Sequence, residues 1–212
     1  MKTPLLLVGG GGHCASCIEA IESGGLYSIC GIVDTKDKLG SFLLGYGVVG
    51  TDDDLAVLYN DIKYAHVSIG QLKSADIRIN IYQRLKELQF LLPAIIASSA
   101  IVARTSLVEE GCVVMHFAMI NSNAKIANNC IVNTGAVVEH DTRIGAHTHV
   151  STGALVNGGC TIGSGCLIGS GSVIKQGIYI CDNAIIGAGS VVIKDILEPG
   201  TYAGNPARKI YV

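Results

Sequence analysis

Every sixth residue from Val102 to Val192 is Val or Ile, sixteen positions without a slip. Neither an α-helix, with its 3.6-residue period, nor an ordinary strand, with its period of two, places apolar residues this way. A hexapeptide repeat is the signature of a parallel β-helix. Three short strands of six residues each close one triangular coil, and the branched aliphatic of each points into the prism and stacks on its equivalents above and below. The residue four positions later is small in fourteen of the sixteen cases, from Ser106 to Ser190, with Ile178 and Ile196 as the exceptions. It also points inward, near a corner, where a larger side chain would overpack. Gly, Asn and Asp between these positions suit the corner turns. The array makes about five coils with an apolar axis in place of an ordinary globular core.

The same period removes a membrane reading. From Ile144 to Ile174 there is no Asp, Glu, Lys or Arg, and the mean hydropathy of the chain is +0.46. A spanning helix needs about 20 mostly apolar residues. This run instead alternates Val, Ile and Leu with Gly, Ser, Thr, Asn and His, and its many glycines disfavour a helix. The N-terminal apolar run, Pro4–Val8, is too short for a signal peptide. A cytoplasmic protein without membrane insertion is expected. Fifteen basic and 17 acidic residues give a net charge of −2 without a basic block, which argues against a nucleic-acid partner. Four of the eight cysteines, Cys112, Cys130, Cys160 and Cys166, occupy the small inward slot and read as reduced packing residues. Cys14 and Cys17 have redox spacing, but helix packing suits them better.

Before residue 97 the grammar is different. Strand-like runs at Pro4–Val8, Ile29–Val33 and Ala65–Ile69 alternate with helical ones. Cys14–Ser23 reads as a helix, Thr51 with Asp52, Asp53 and Asp54 as a helix N-cap, and Ile77, Ile81, Leu85 and Leu88 as the buried stripe of a helix capped by Ser74. Phe90–Ile96 reads as an edge strand because of Pro93. Such alternation implies a small parallel α/β sheet. The expected organisation is a Rossmann-like α/β domain over residues 1–97 and a β-helix over 98–212.

Two places in this frame carry chemistry. His140 stands two residues after an inward position, at an exposed corner, between Glu139 and Asp141. A histidine so flanked suits a general base near neutral pH, its ring oriented by a carboxylate. Gly9–Gly12 joins a strand to a helix, a geometry that offers backbone N–H groups and a helix N-terminus to phosphate. The dinucleotide pattern G-x-G-x-x-G is not met, since Cys14 stands where its last glycine belongs.

With the Glu139-His140 pair, the hexad array, the glycine-rich start and the Gly204-Asn205-Pro206-Ala207-Arg208 tail, the chain resembles the bacterial sugar acetyltransferases that join a Rossmann-like domain to a left-handed parallel β-helix. The likeness is greatest to the N-acetyltransferases of UDP-, dTDP- or GDP-linked 4-amino-4,6-dideoxy-hexoses in surface-glycan synthesis. Sialic-acid O-acetyltransferases share the architecture. The resemblance implies acetyl-CoA as co-substrate, no metal, a nucleotide-linked amino sugar as acceptor, and a homotrimer with active sites between subunits. It implies His140 as the base, assisted by a carboxylate for which Glu139 is favoured, and Gly158 N–H as the oxyanion donor. His149, five after an inward position and so outward on a flat face, matches a contact to acetyl-CoA. Lys194 and Arg208, with Lys209, lie where such enzymes hold the adenosine end. For the nucleotide sugar it implies Gly10, Gly11, Gly12 and His13 around the diphosphate, Asp34 near the nucleoside, Gly70 at the crevice edge and Asn133 in the cleft.

Two readings of other classes compete. A zinc hydratase on a β-helix would draw ligands from His116, His140 and His147. A non-enzymatic sensor would bind the nucleotide sugar alone.

Overall fold

A computed structural model describes residues 2–71 and 74–211. The N-terminal domain begins with β1 (Thr3–Val8), α1 (Gly12–Gly24), β2 (Tyr27–Val33), β3 (Phe42–Leu43) and β4 (Tyr46–Gly50), and continues with α2 (Leu55–Leu58), β5 (Tyr64–Val67) and α3 (Asp76–Glu87). The sheet order is β3-β4-β2-β1-β5, parallel except for the β3–β4 hairpin. Three of the four expected strands form in this sheet, and Phe90–Ile96 does not. The Thr51 cap forms too, with Asp54 Oδ2 accepting from the Thr51 N–H at 2.8 Å and its hydroxyl at 2.9 Å. The hairpin was not foreseen.

One stripe residue departs from expectation. Ile81 and Leu85 of α3 are buried, but Ile77 is 66% exposed and Arg78 is 2% exposed. The N-terminal end of α3 meets polar backbone of the second domain rather than an apolar core, so a long donor side chain takes the inward place.

From Ile95 the chain winds into the β-helix. Two-residue strands pair in parallel with those 18 residues on, as Met119–Ile120 does with Val137–Val138. They build three flat sheets. The inward residues from Val114 to Val192 are buried throughout, and so are nearly all the small slots, Ile178 and Ile196 included. The four slot cysteines are free thiols, each donating to a carbonyl 15 residues on, as Cys130 Sγ does to Gly145 O at 3.1 Å. At the corners, every sixth residue from Gly111 to Gly189 has a positive φ between 52° and 69°, apart from 73° at Gly177. Gly or Asn fills most of these left-handed positions, as sterics favour, while Phe117, Asp141 and His147 hold the remaining three. The tail strands Gly200–Ala203 and Arg208–Ile210 close the last coil.

The changeover between domains lies earlier than residue 97. Ile95–Ile96 already pairs with Val113–Val114 as the first rung of the β-helix, and Phe90–Leu92 keeps only one bridge, Leu91 to Tyr64, with the α/β sheet. The three prism faces differ in what they present outward. The face carrying Val113, Ile131 and His149 is covered by the α/β domain, whose Leu5, Leu7, Cys14, Cys17 and Ile18 share one core with Ile95, Val113 and Ile131. The next face presents an apolar column that includes Ile101, Met119, Leu155 and Val173, and the third presents Lys125 and Arg143.

Candidate functional site

Both features of chemical interest are formed, at separate places. The first is a cavity of about 1040 Å³ between the α/β domain and the covered prism face, lined by Gly9–Gly12, His13, Asp34, Lys38, Gly70, Gln71, Ile77 and His149 among others. Gly11 is the N-cap of α1 and no side chain caps this helix, so the start of α1 on the cavity wall carries first-turn N–H groups without a side-chain partner, a geometry suited to an anion. His13 packs its Cβ against Gly70, and its Nε2 is buried without a partner among the described residues. Burial pushes the His13 pKa down to about 4, with the Arg78 charge adding to the effect.

Asp34, on the cavity wall, already accepts three hydrogen bonds. Its Oδ2 accepts from Gly10 N–H at 2.6 Å and Lys38 Nζ at 2.9 Å, and its Oδ1 from Thr35 N–H at 2.7 Å. Burial alone would raise this carboxyl, but these donors outweigh it and hold it below the usual range. A Cβ on Gly10 would stand 2.6 Å from Oδ2, so glycine permits this brace. Asp34 therefore shapes the loop, and Lys38, not singled out from the sequence, brings a cation to the cavity wall. Its place four residues after Asp34 was the available signal.

His149 points out of the prism as expected, but it is only 6% exposed because the segment ending at Gln71 covers it. Its Nδ1 donates to Gln71 O at 3.1 Å, and its Nε2 lies 3.2 Å from Asn133 Nδ2. Burial lowers its pKa to about 4. Its ring centroid lies 6.4 Å from that of His13. In this chain His149 thus lines the cavity of the glycine loop, not the open flat face that its hexad position suggested, and Asn133 is joined to that wall through His149.

The second feature is the corner at residues 139–141, between the two uncovered faces and opposite the covered one. His140 is exposed, and its Nδ1 lies 2.9 Å from Asp141 Oδ2. That hydrogen bond holds the Asp141 carboxyl below its usual range. Glu139, the favoured carboxylate, does not reach the ring: its Oε2 accepts from Asn121 Nδ2 at 2.8 Å and from the His140 backbone N–H at 3.3 Å. Side chains of consecutive residues diverge at this corner, and the left-handed turn at Asp141 swings its carboxylate to Nδ1.

One coil on, Gly158 lies under the imidazole, and a Cβ there would stand 2.6 Å from His140 Nε2. Gly158 is outside the left-handed column, so closeness to the ring, not turn geometry, calls for glycine. At the equivalent corners Asn121 and Asn133 turn Oδ1 onto the next backbone N–H at 2.8 Å. Asn157 instead donates Nδ2 to Ile174 O at 2.7 Å, and no acceptor among the described residues takes the Gly158 N–H.

Lys194, Arg208 and Lys209 come together at the last coil around a pocket of about 320 Å³. Glu198 pairs with Lys209 at 3.0 Å. His116, His140 and His147 occupy three different prism corners, so within one chain they cannot share a zinc ion. Among the described residues no three His, Cys, Asp or Glu side chains group around a metal position. No helix among them is long and apolar enough to cross a membrane.

Comparison with known proteins follows the same division. Residues 4–85 match the PglD N-terminal domain family, and residues 141–176 and 159–194 match the bacterial transferase hexapeptide family. No curated protein sequence gives a significant match. Among solved structures, the acetyltransferase domain of PglB from Neisseria gonorrhoeae FA1090, in complex with acetyl coenzyme A, is 31% identical over 99% of this chain and 100% of that one, with a TM-score of 0.91. PerB from Caulobacter crescentus, in complex with CoA and GDP-perosamine, is 30% identical over 100% of this chain and 99% of that one, also at 0.91. WeeI from Acinetobacter baumannii AYE is 25% identical over 99% and 100%, at 0.88.

Proposed function

The chain belongs to the family of sugar acetyltransferases that join a PglD-type N-terminal domain to hexapeptide repeats, and from that premise we propose that it transfers the acetyl group of acetyl-CoA to the 4-amino group of a nucleotide-linked 4-amino-4,6-dideoxy-sugar. The observation that carries the reading is the corner at His140. A carboxylate occupies Nδ1, so Nδ1 bears the proton and Nε2 keeps its lone pair, beside an uncapped backbone N–H.

The steps follow from those groups. The acceptor amine attacks the thioester carbonyl carbon, and the N–C bond forms. His140 Nε2 takes the proton that the nitrogen must lose. Gly158 N–H steadies the oxyanion while it exists. The C–S bond then breaks, and the CoA thiolate leaves, to be protonated by the imidazolium or by water. Asp141 keeps the ring in the Nδ1–H tautomer throughout. The glycine loop and the α1 N-terminus hold the sugar diphosphate, and Lys194 and Arg208 meet the phosphates of CoA.

The two halves of this site lie on opposite sides of one prism, and that placement supports an active site completed by a neighbouring copy. The cavity of one chain would meet the His140 corner of another across the apolar column that includes Ile101, Met119, Leu155 and Val173, in a homotrimer. Such an enzyme, using acetyl-CoA and nucleotide sugars, belongs in the cytoplasm.

A thiol-release assay with nucleotide-linked 4-amino sugars and with sialic-acid-like O-acceptors tests the reading. Turnover of the amino sugar is expected. Turnover of the O-acceptor alone would move the protein to O-acetylation, and turnover of neither, with acetyl-CoA binding intact, would refute both.

A further inference from the structure

The seam between the domains holds a cation that no carboxylate among the described residues balances. Arg78, on α3, is 2% exposed. Its Nη1 donates to Gln71 Oε1 at 2.8 Å and to His147 O at 3.4 Å, and its Nη2 donates to Asn129 O. Asn129 Nδ2 returns a contact to Arg78 O at 3.4 Å. Gln71, itself 3% exposed, sends Nε2 to Gly165 O and Cys166 O, each at 3.2 Å. Burying a guanidinium this way costs several kcal/mol in desolvation unless its geometry recovers it. A merely adhesive contact would be met more cheaply by apolar packing.

The acceptors share a pattern. Asn129, His147 and Gly165 are three successive rungs of one corner, 18 residues apart, each in the left-handed conformation. Arg78 takes the carbonyls of the first two, and Gln71 takes that of the third. The pair therefore reads the β-helix rung by rung. The backbone carbonyl of this same Gln71 is the acceptor for His149 Nδ1 in the cavity wall.

We propose that Arg78 is a positioning residue for the acceptor-sugar pocket: with Gln71 it fixes the α/β domain in register on the corner rungs and so holds His149 in the Nδ1–H tautomer, with Nε2 as the acceptor. His149 Nε2 then receives the Asn133 amide and lies ready to accept from a sugar hydroxyl. The uncompensated guanidinium also opposes protonation of His13, His147 and His149, which face it from both domains. The role in sugar binding rests on the function proposed above, whereas the tautomer does not.

The test uses full-length protein labelled with 15N at histidine, in which ring nitrogen shifts identify the tautomer, together with separate KM values for the two substrates. In the wild type His149 is expected as the Nδ1–H form. Arg78→Met should shift it toward the Nε2–H form and raise KM for the nucleotide sugar about 10- to 100-fold, with KM for acetyl-CoA unchanged. Arg78→Lys, a point charge that cannot reach the acceptors together, should keep the buried charge but not the tautomer. If Arg78→Met does not fold, Gln71→Leu cuts the same link while leaving Arg78 its two backbone carbonyls, and it should give the same signature. Ile95→Ala, which loosens the apolar seam three rungs from His149, is the control. An unchanged tautomer in folded Arg78→Met or Gln71→Leu overturns the proposal, as does a parallel rise in both KM values matching Ile95→Ala. If the wild type binds no nucleotide sugar, the proposed function fails while the tautomer result still decides the clamp.

Discussion

The imidazole of His140 lies against the α-carbon of Gly158, so near that a Cβ there would stand 2.6 Å from Nε2 and 2.7 Å from Cε1. The candidate base and the candidate oxyanion donor are thus one packed unit, built from adjacent coils. Gly158→Ala must push the ring away from the N–H it accompanies. We expect kcat to fall about 10²- to 10³-fold with KM for acetyl-CoA little changed. Steady-state thiol release checks this, and near-normal turnover would remove Gly158 from the chemistry.

Asp141 and Glu139 make separable predictions. Asp141→Asn leaves an amide beside Nδ1 that can favour the wrong tautomer, so kcat should fall up to about 10²-fold while the fold is kept. Glu139→Gln keeps an oxygen for the Asn121 amide and the His140 N–H, so its effect should be small. The reverse ranking would return the assisting role to Glu139.

How much of this could be read in advance depended on distance along the chain. The hexad dictates which residues face the axis, because every rung repeats the same local geometry, and it placed His140 at an open corner. It does not say which outer face another domain will cover. His149 was therefore expected on an open face and is found under Gln71. Arg78 hid within an apolar helical stripe because its partners, Asn129 and His147, are carbonyls, which leave no trace in residue identity. Asp34 was legible as a strand-end acid at the loop, but its use on Gly10 and Lys38 is a matter of three-dimensional reach.

Acid should loosen the seam. His13, His66 and His149 have pKa values of about 4, 3 and 4 in the folded protein, each lowered mainly by burial from 6.5. Below pH 6.5 the unfolded chain takes up protons that the folded one refuses. Stability is therefore full above pH 6.5 and falls as pH drops toward these folded values. Between pH 6.5 and 5 the loss from the three together is on the order of 5 kcal/mol. Both His66 ring nitrogens lack partners among the described residues. His66→Phe should accordingly flatten the dependence of Tm on pH, measured by calorimetry from pH 8 to 5. A Tm that does not fall across that range in the wild type would contradict the buried neutral state.

The last coil should serve the co-substrate alone. Lys194→Ala and Arg208→Ala each remove a cation from the pocket they share with Lys209. KM for acetyl-CoA should rise about tenfold, the loss of one charge-assisted contact, and KM for the nucleotide sugar should stay. Acetylated pantetheine, which lacks the nucleotide end, should not distinguish the variants from wild type. If it does, the pocket acts on the fold rather than on CoA.

In a shared active site the glycine-loop cavity of one chain works with the His140 corner of another. Subunit mixing tests it most directly. His140→Ala removes the base, and Gly11→Asp places a carboxylate where the sugar diphosphate should lie, at a position with free space around it. Each variant alone should be inactive. When the two are unfolded together in equal amounts and reassembled, a shared site predicts recovery of about a quarter of wild-type activity, the chance that an intact corner meets an intact cavity. Hetero-oligomers that form but show no activity above the separate variants would contradict the account, because each chain would then need its own corner and cavity together.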